Sequence, residues 1–418
     1  MKENQKKMEK ANQPVTLAGT WGGEVEIPDQ PLEITLKFKE MDDSTEGSIS
    51  IPIQHVADFS LSNIKVEQDQ VSFDMPLPGQ KVHFSGTVKV DKIEGTFTQN
   101  GQSFPFHVKK GSDGVQTEKD DEDFLSIETT TGTLYGSLLT PEEGEQFPVA
   151  LIIPGSGPTD RNGNSPGIAG KNDSLKLLAE GLAENDIASL RYDKRGAGKN
   201  TQAVTDEKDM RFDQFVTDAK QWITELQEDS RFSDIIVIGH SQGSLVGMLA
   251  AEESDVNAFI SIAGAGHSLD DVLGEQLKTL PDDLQAESQQ ILQQLKQGKT
   301  VTNVDSRLQS LFRPSVQPFL ISWMKFDPAR EIARLDMPTL IINGKNDLQV
   351  AVQDAEELAA ANLDAKMMLI ETMNHVLKEA PTDREGNIAT YSDLTLPLAE
   401  GLLNAITTFL SGAHISSK

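Results

Sequence analysis

The sequence predicts two folds in series: an all-β antiparallel meander curled into a barrel-like shape, then an α/β part whose mostly parallel sheet is covered by helices on both faces. Three observations carry this expectation. Apolar residues alternate with period two through residues 15–110, an acidic stretch follows, and beyond it strand-like and helix-like segments alternate to the end of the chain.

In the amino-terminal part the alternation is explicit in Ile34, Leu36 and Phe38, in Val71, Phe73, Met75 and Leu77, in Val82, Phe84, Val88 and Val90, and in Phe104, Phe106 and Val108. Such runs mark strands with one buried face. Pro78-Gly79 and Asn100-Gly101 read as turns, the latter a strong hairpin signal. About seven or eight strands in a row suggest a barrel or a half-open clam. Leu17-Ala18-Gly19-Thr20-Trp21 resembles the Gly-x-Trp that opens small ligand-binding barrels, and the favoured reading is a tryptophan plugging the end of a β core. No chemistry is assigned to this domain. Residues 1–14 are expected to be a flexible tail, and residues 111–123 an acidic linker in which Asp113, Glu118, Asp120, Asp121, Glu122 and Asp123 face only Lys119.

The second part spans residues 124–266 and 331–418. It opens with a hairpin near Leu125 to Thr140, followed by a strand at Val149, a helix with Leu175, Leu178, Ala179 and Leu182 on one face, a strand at Ile187 and a helix from Asp213. Its most informative stretch is Asp234 to Glu253. There an apolar run leads into Gly239-His240-Ser241-Gln242-Gly243 and then a helix-compatible segment, the strand, sharp turn and helix of a nucleophile elbow. The pentapeptide alone is a weak signal, and its context gives it weight. Residues 267–330 are expected to form a helical cap, because residues 264–337 separate two strands for which a crossover needs only about 10–12 residues. Leu269, Val272 and Leu273, then Leu308, Leu311 and Phe312, show helical spacing, and the Gln-rich stretch between them offers few apolar anchors. Packed over the serine, such a cap would exclude water and shape a pocket.

A serine hydroxyl is a poor nucleophile until a base takes its proton and a third group orients that base. Behind an elbow of this type the partners follow in the order acid, then histidine, each after a late strand. Pro338 to Asn343 reads as a buried strand opening into Gly344-Lys345-Asn346-Asp347, ahead of a helical stretch from Val352 to Ala361. The next strand-like run, Ala365 to Glu371, is followed by Thr372-Met373-Asn374-His375. Of the seven histidines, His55, His83 and His107 lie in the β-rich part, His240 lies inside the elbow, His267 precedes Asp347 and His414 is near the end, so His375 alone fits order and position. Asp336 precedes its strand, Asp364 follows a helix and Glu371 leaves a short reach to His375, which favours Asp347 as the acid. The catalytic candidates are Ser241, Asp347 and His375.

Acyl transfer places negative charge on an oxygen that backbone N–H donors must stabilise. One donor is expected from Gln242, which opens the helix after the elbow and shares its dipole. The other is expected after the strand Phe147 to Ile153, in the loop Pro154-Gly155-Ser156-Gly157, with Ser156 the first choice and Gly157 the alternate. Asp160-Arg161-Asn162-Gly163-Asn164 fails as a calcium loop, since the sixth position is Ser165 and the twelfth is Lys171.

With these residues the chain resembles the α/β-hydrolase superfamily, and within it the bacterial two-domain serine carboxylesterases that carry an amino-terminal β domain and a Gly-His-Ser-Gln-Gly elbow. The resemblance covers about residues 124–418 and includes Leu190-Arg191-Tyr192-Asp193-Lys194-Arg195-Gly196-Ala197-Gly198, similar to a loop that these enzymes place after an early strand. It implies hydrolysis of a small-molecule ester, of short to medium acyl chain, through an acyl-enzyme and with no cofactor. Pro154-Gly155 stands where many lipases have His-Gly. Two rivals were weighed. A serine aminopeptidase or acyl-peptide hydrolase of the same fold needs an acidic anchor, which Asp270, Asp271, Glu275, Asp282 and Asp283 offer. A non-catalytic ligand-binding protein with a vestigial site is disfavoured by the complete triad.

Composition sets the remaining bounds. A formal charge of −28, from 65 acidic and 37 basic residues, argues against nucleic acid and anionic membranes as partners. No apolar run approaches the ~18 residues of a membrane span, so a soluble protein is expected. Cysteine is absent, which excludes thiol chemistry, disulfides and cysteine-bound zinc. No metal is expected. The first ten residues lack the apolar core of a signal peptide, and their lysine-rich polarity resembles a tether left after export, the compartment favoured here over the cytoplasm. A homo-oligomer is left open.

Overall fold

The computed structural model describes residues 17–27, 32–40, 45–51, 56–76, 82–89, 91–99, 102–111, 123–144, 146–165, 170–204 and 206–415. The tail 1–14, the turns at Pro78-Gly79 and Asn100-Gly101, Leu77, Val90 and nearly all of the acidic linker lie outside them. The chain divides into two compact units, Met1–Asp121 and Glu122–Lys418.

The first unit is one antiparallel sheet built from β1 (Gly19–Val25), β2 (Leu32–Glu40), β3 (Thr45–Ile51), β4 (Val56–Ser60), β5 (Ser62–Glu67), β6 (Gln70–Met75), β7 (Val82–Lys89), β8 (Lys92–Gln99) and β9 (Gln102–Lys110). The spatial order is β4-β3-β2-β1-β9-β8-β7-β6-β5, so the first strand pairs with the last and the sheet curls into a near-barrel. Nine strands form where seven or eight were expected. β4 and β5 are short, and the Leu61 N–H between them bonds the Gly47 carbonyl oxygen of β3 at 2.8 Å. Inward residues fill the interior. Phe73 stacks on Phe84 at 4.9 Å, with Phe38, Phe97 and Phe106 packed edge-on or tilted around the pair. Trp21 is fully buried, and its indole N–H bonds the Leu17 carbonyl oxygen at 2.8 Å, the plug that the period-two pattern allows.

The second unit carries an eight-stranded sheet: β10 (Asp123–Thr129), β11 (Gly132–Leu139), β12 (Phe147–Ile153), β13 (Ala188–Tyr192), β14 (Phe232–His240), β15 (Ala258–Ile262), β16 (Thr339–Gly344) and β17 (Lys366–Ile370), in the order 10-11-13-12-14-15-16-17. The opening hairpin is antiparallel and the remaining strands run parallel. This is the α/β-hydrolase arrangement. Every residue of β12 is buried because both faces are covered. Val149, Leu151 and Ile153 face a core containing the helices Phe212–Glu228 and Gln242–Glu252. Ala150 and Ile152 face the opposite core, with the helices Ser174–Ala183 and Leu402–Gly412. Strand order reverses at β12, with β13 to one side and β14 to the other, and ligands in such sheets bind beyond the carboxyl ends of the strands flanking that reversal.

Between β15 and β16 lie the helices Leu269–Gln276, Asp282–Lys296, Gln309–Phe312, Gln317–Trp323 and Pro328–Ile332. The Gln-rich stretch is better anchored than its composition suggested. Leu284, Ile291, Leu292 and Leu295 share one buried face of their helix and join Leu273, Leu308 and Phe312 in a separate core. Trp323 stacks on Phe212 at 5.4 Å, joining the insertion to the sheet's own helices. Among the described residues no helix is long and apolar enough to cross a membrane.

Candidate active site

Ser241 follows β14 at φ 55°, ψ −123°, a conformation that residues with side chains rarely adopt. The strain is held by its surroundings. The Ser241 N–H donates to the Ile262 carbonyl oxygen at 2.9 Å, and the Ser241 carbonyl oxygen accepts from the Ser244 N–H at 2.9 Å. The flanking glycines give the turn room: a Cβ on Gly243 would stand 2.2 Å from the Ile153 carbonyl oxygen, and one on Gly239 would stand 2.3 Å from the Gly243 carbonyl oxygen. The side chain is therefore presented at the sheet's switch point.

His375 Nε2 lies 3.1 Å from Ser241 Oγ, and its Nδ1 lies 2.8 Å from Asp347 Oδ2. The other oxygen of Asp347 accepts from the N–H groups of Gln349 and Val350 at 2.7 and 3.0 Å, so the carboxylate is fixed and its side chain has no exposure. A carboxylate on Nδ1 keeps the proton there and leaves the Nε2 lone pair facing the serine. The histidine's loop is built around buried Asn374, which sequence reasoning passed over. Its Oδ1 accepts from the N–H groups of Val376 and Lys378 at 3.2 Å, and its Nδ2 donates to Thr390 Oγ1 at 2.7 Å. Glu371, the rejected acid, pairs instead with Lys345 at the surface.

His240, a member of the elbow motif, also holds the loop of His375. Buried between loops, its Nε2 lies 2.8 Å from the His375 carbonyl oxygen, with the two rings 5.0 Å apart. Burial, reinforced by the neighbouring His375, lowers its pKa to about 4. It is neutral at pH 7 and donates to that carbonyl.

Ser156 and Gln242 line the same cavity as Ser241, while Gly157 is not among its lining residues. Gln242 is the first residue of its helix, so its N–H has no partner one turn back. The Ser156 N–H meets no protein acceptor among the described residues, and the Ser156 carbonyl oxygen accepts from Thr159 Oγ1 at 2.6 Å. The following loop is tied by Asp160, whose Oδ1 accepts from the N–H groups of Asn162 and Asn164 at 2.9 and 2.8 Å. The sequence also gave no warning of Lys194. Its side chain is buried, and Nζ donates to Gln242 Oε1 at 2.5 Å and to the Gly155 carbonyl oxygen at 2.9 Å. Burial pulls its pKa down to about 7.

The cavity has a volume of about 420 Å³. Leu269, Val272, Leu273, Leu320 and Trp323 from the insertion form an apolar wall facing Ser241, and no aspartate or glutamate lines it. His267, set aside on order grounds, sits at this cavity with Nδ1 3.1 Å from Asp354 Oδ1. Three of the five acidic candidates of the early insertion are engaged elsewhere: Asp270 with Lys296, Glu275 with Lys278, and Asp283 with Arg307 at 2.8 Å. Among the described residues no group of three or more histidines and carboxylates is placed to hold a metal ion.

The chain is similar to Esterase EstD of Thermotoga maritima, at 28% identity over 274 residues. That match covers 62% of this chain and 61% of the relative, so the chain spans less than two thirds of the curated protein it matches. Among solved structures it is similar to Est1E from Butyrivibrio proteoclasticus, at 18% identity and a TM-score of 0.46 over 70% of this chain and 98% of that one. It is also similar to the Pyrococcus furiosus esterase Pf2001, at 15% identity and a TM-score of 0.44 over 72% and 96%. Residues 165–380, which include Ser241, Asp347 and His375, match the family model Hydrolase_4, described as serine aminopeptidase, S33; the match spans more than half the chain, which belongs to this family of α/β-hydrolases.

Proposed function

We propose that this protein is a serine carboxylesterase acting on small esters of short to medium acyl chain. Ser241 Oγ attacks the ester carbonyl while His375 Nε2 takes its proton, and Asp347 holds the imidazolium that forms. The N–H groups of Ser156 and Gln242 receive the oxyanion. The alcohol leaves with the proton from His375, and water then repeats the sequence to release the acid.

One observation carries the choice of substrate class: the hydrogen-bonded chain Ser241–His375–Asp347 opens into an apolar cavity without a carboxylate. An aminopeptidase must bind its substrate's ammonium, and of the acidic candidates in the early insertion Asp270, Glu275 and Asp283 are already paired with lysine or arginine, while neither Asp271 nor Asp282 lines the cavity. The volume, about 420 Å³, is at the lower end of the range of about 300–1,000 Å³ for small-molecule pockets, which supports a modest acyl group. The relative named an esterase supports the same reading, and the family's description as an aminopeptidase makes the rival worth a direct assay. Parallel assays with p-nitrophenyl esters of increasing acyl length and with aminoacyl p-nitroanilides test it. Ester turnover that peaks at short or medium chains is expected; turnover of the anilides in preference to every ester would overturn the proposal.

A further inference from the structure

Lys194 follows β13 in a polar run, Arg191-Tyr192-Asp193-Lys194-Arg195, that reads as surface. It is only 4% exposed and faces no carboxylate at ion-pair distance among the described residues. Removing an ammonium from water without a counter-ion is costly, and an apolar residue of similar size is often as stable or more so in such a place. Fold stability alone is therefore a poor reason for a lysine here.

The contacts of its ammonium group point elsewhere. Nζ bonds the carbonyl oxygen of Gly155, 39 residues away in sequence, and Oε1 of Gln242, 48 residues away. The Gly155–Ser156 peptide is trans, so its carbonyl and its N–H point in opposite directions. Fixing the Gly155 oxygen on the lysine side turns the Ser156 N–H away from it. Polarising that carbonyl also makes the N–H of the same peptide a stronger donor. Gln242 supplies the second N–H, and its side chain is held by the same cation. The Lys194 N–H adds a bond to the Thr159 carbonyl oxygen at 3.2 Å, and the Phe215 ring lies 4.2 Å from Nζ on another side. One buried amino group thus reaches both segments that are expected to donate to the oxyanion.

We propose that Lys194 is the positioning residue of the oxyanion hole: through the Gly155 carbonyl it orients and polarises the Ser156 N–H donor, and through the Gln242 side chain it helps to hold the residue whose N–H is the second donor, both toward the developing negative charge. It does not touch the substrate. The inference rests on the esterase reading above.

The test begins with wild-type protein, assayed for turnover of a short-chain p-nitrophenyl ester and for labelling by a fluorophosphonate. Absence of both overturns the esterase reading, and this proposal falls with it. Where the wild type is active, Lys194→Met is expected to lower kcat about 10- to 100-fold, less than the 10²–10³ lost with an entire donor. KM should stay within about twofold, and the inhibition constant of an alkyl boronic acid, whose serine adduct is a tetrahedral anion, should rise in parallel with the loss in kcat. Unchanged kcat and boronate affinity overturn the proposal. So does a variant whose KM and thermal stability deteriorate together with kcat, the mark of a general structural role. Should Lys194→Met fail to fold, Gln242→Met removes one of the two side-chain tethers. It is expected to lower kcat several-fold at constant KM, and a wild-type kcat in that variant overturns the proposal.

Discussion

The two sheets of this chain bury their apolar faces in opposite ways. The amino-terminal sheet curls on itself and packs its interior with Trp21, Phe73, Phe84 and Phe106, each no more than 2% exposed. The second sheet stays open, covers both faces with helices, and leaves a cavity of about 420 Å³ beyond the ends of β12 and β14. Aromatic rings fill the described interior of the near-barrel, and the hollow of about 580 Å³ in this unit is lined by Lys37, Lys39, Thr45 and Glu46, with no histidine beside its serines. An open sheet with a reversal in strand order places loops, a helix terminus and an insertion around one point. Chemistry is therefore sought in the second unit, and the first is expected to answer to substitution through stability.

The largest expected effect is Ser241→Ala, which should lower kcat by about 10⁶-fold while leaving the thermal unfolding of both units near wild type. Turnover retained by that variant would break the comparison. Next is Asp347→Asn, expected to cost about 10⁴-fold in kcat because His375 would be held in the wrong tautomer. In the filled sheet, Trp21→Ala should destabilise the amino-terminal unit by about 3–5 kcal/mol in denaturant unfolding, since it leaves a cavity and removes the indole bond to the Leu17 carbonyl oxygen.

A fourth prediction concerns pH. His240 is lowered by burial from 6.5 to about 4, so folding favours its neutral form. The stability this gives is fully present above pH 6.5 and is lost as pH falls through about 4, an amount of about 3 kcal/mol. Comparing the Tm of wild type and His240→Gln across that window should show the steeper acid decline in the wild type; parallel curves would refute the assignment. The smallest effect sharpens the open side. Leu273→Ala, in the apolar wall, should shift preference toward longer acyl chains by about 1–3 kcal/mol in relative kcat/KM.

The candidate reactive groups are legible in the sequence because each has a local signature. Ser241 lies in a strand–turn–helix with obligatory glycines, and Asp347 follows the buried strand β16 and His375 the largely exposed edge strand β17, in the required order. Gln242 and Ser156 follow from the same logic, one at a helix start and one in a glycine loop. Lys194, His240 and Asn374 were not legible. Their burial comes from loops brought together across the sheet, and a lysine beside Asp193 and Arg195 looks like surface until Gly155 and Gln242 close over it. The fold shows the same division. Long alternating strands such as β2 and β7 announce themselves, whereas β3 offers Ile49 and Ile51 among polar residues and is defined by its pairing with β2 and β4. In the insertion, the glutamines on the helix Asp282–Lys296 drew attention from the apolar face that Leu284, Ile291, Leu292 and Leu295 share.

The most direct test of the central claim is to label the protein with a fluorophosphonate and locate the adduct by peptide mass mapping. The account predicts a single adduct on Ser241, formed at a rate that falls sharply in His375→Ala. An unlabelled Ser241, or labelling of Ser241 that is indifferent to the loss of His375, would contradict it.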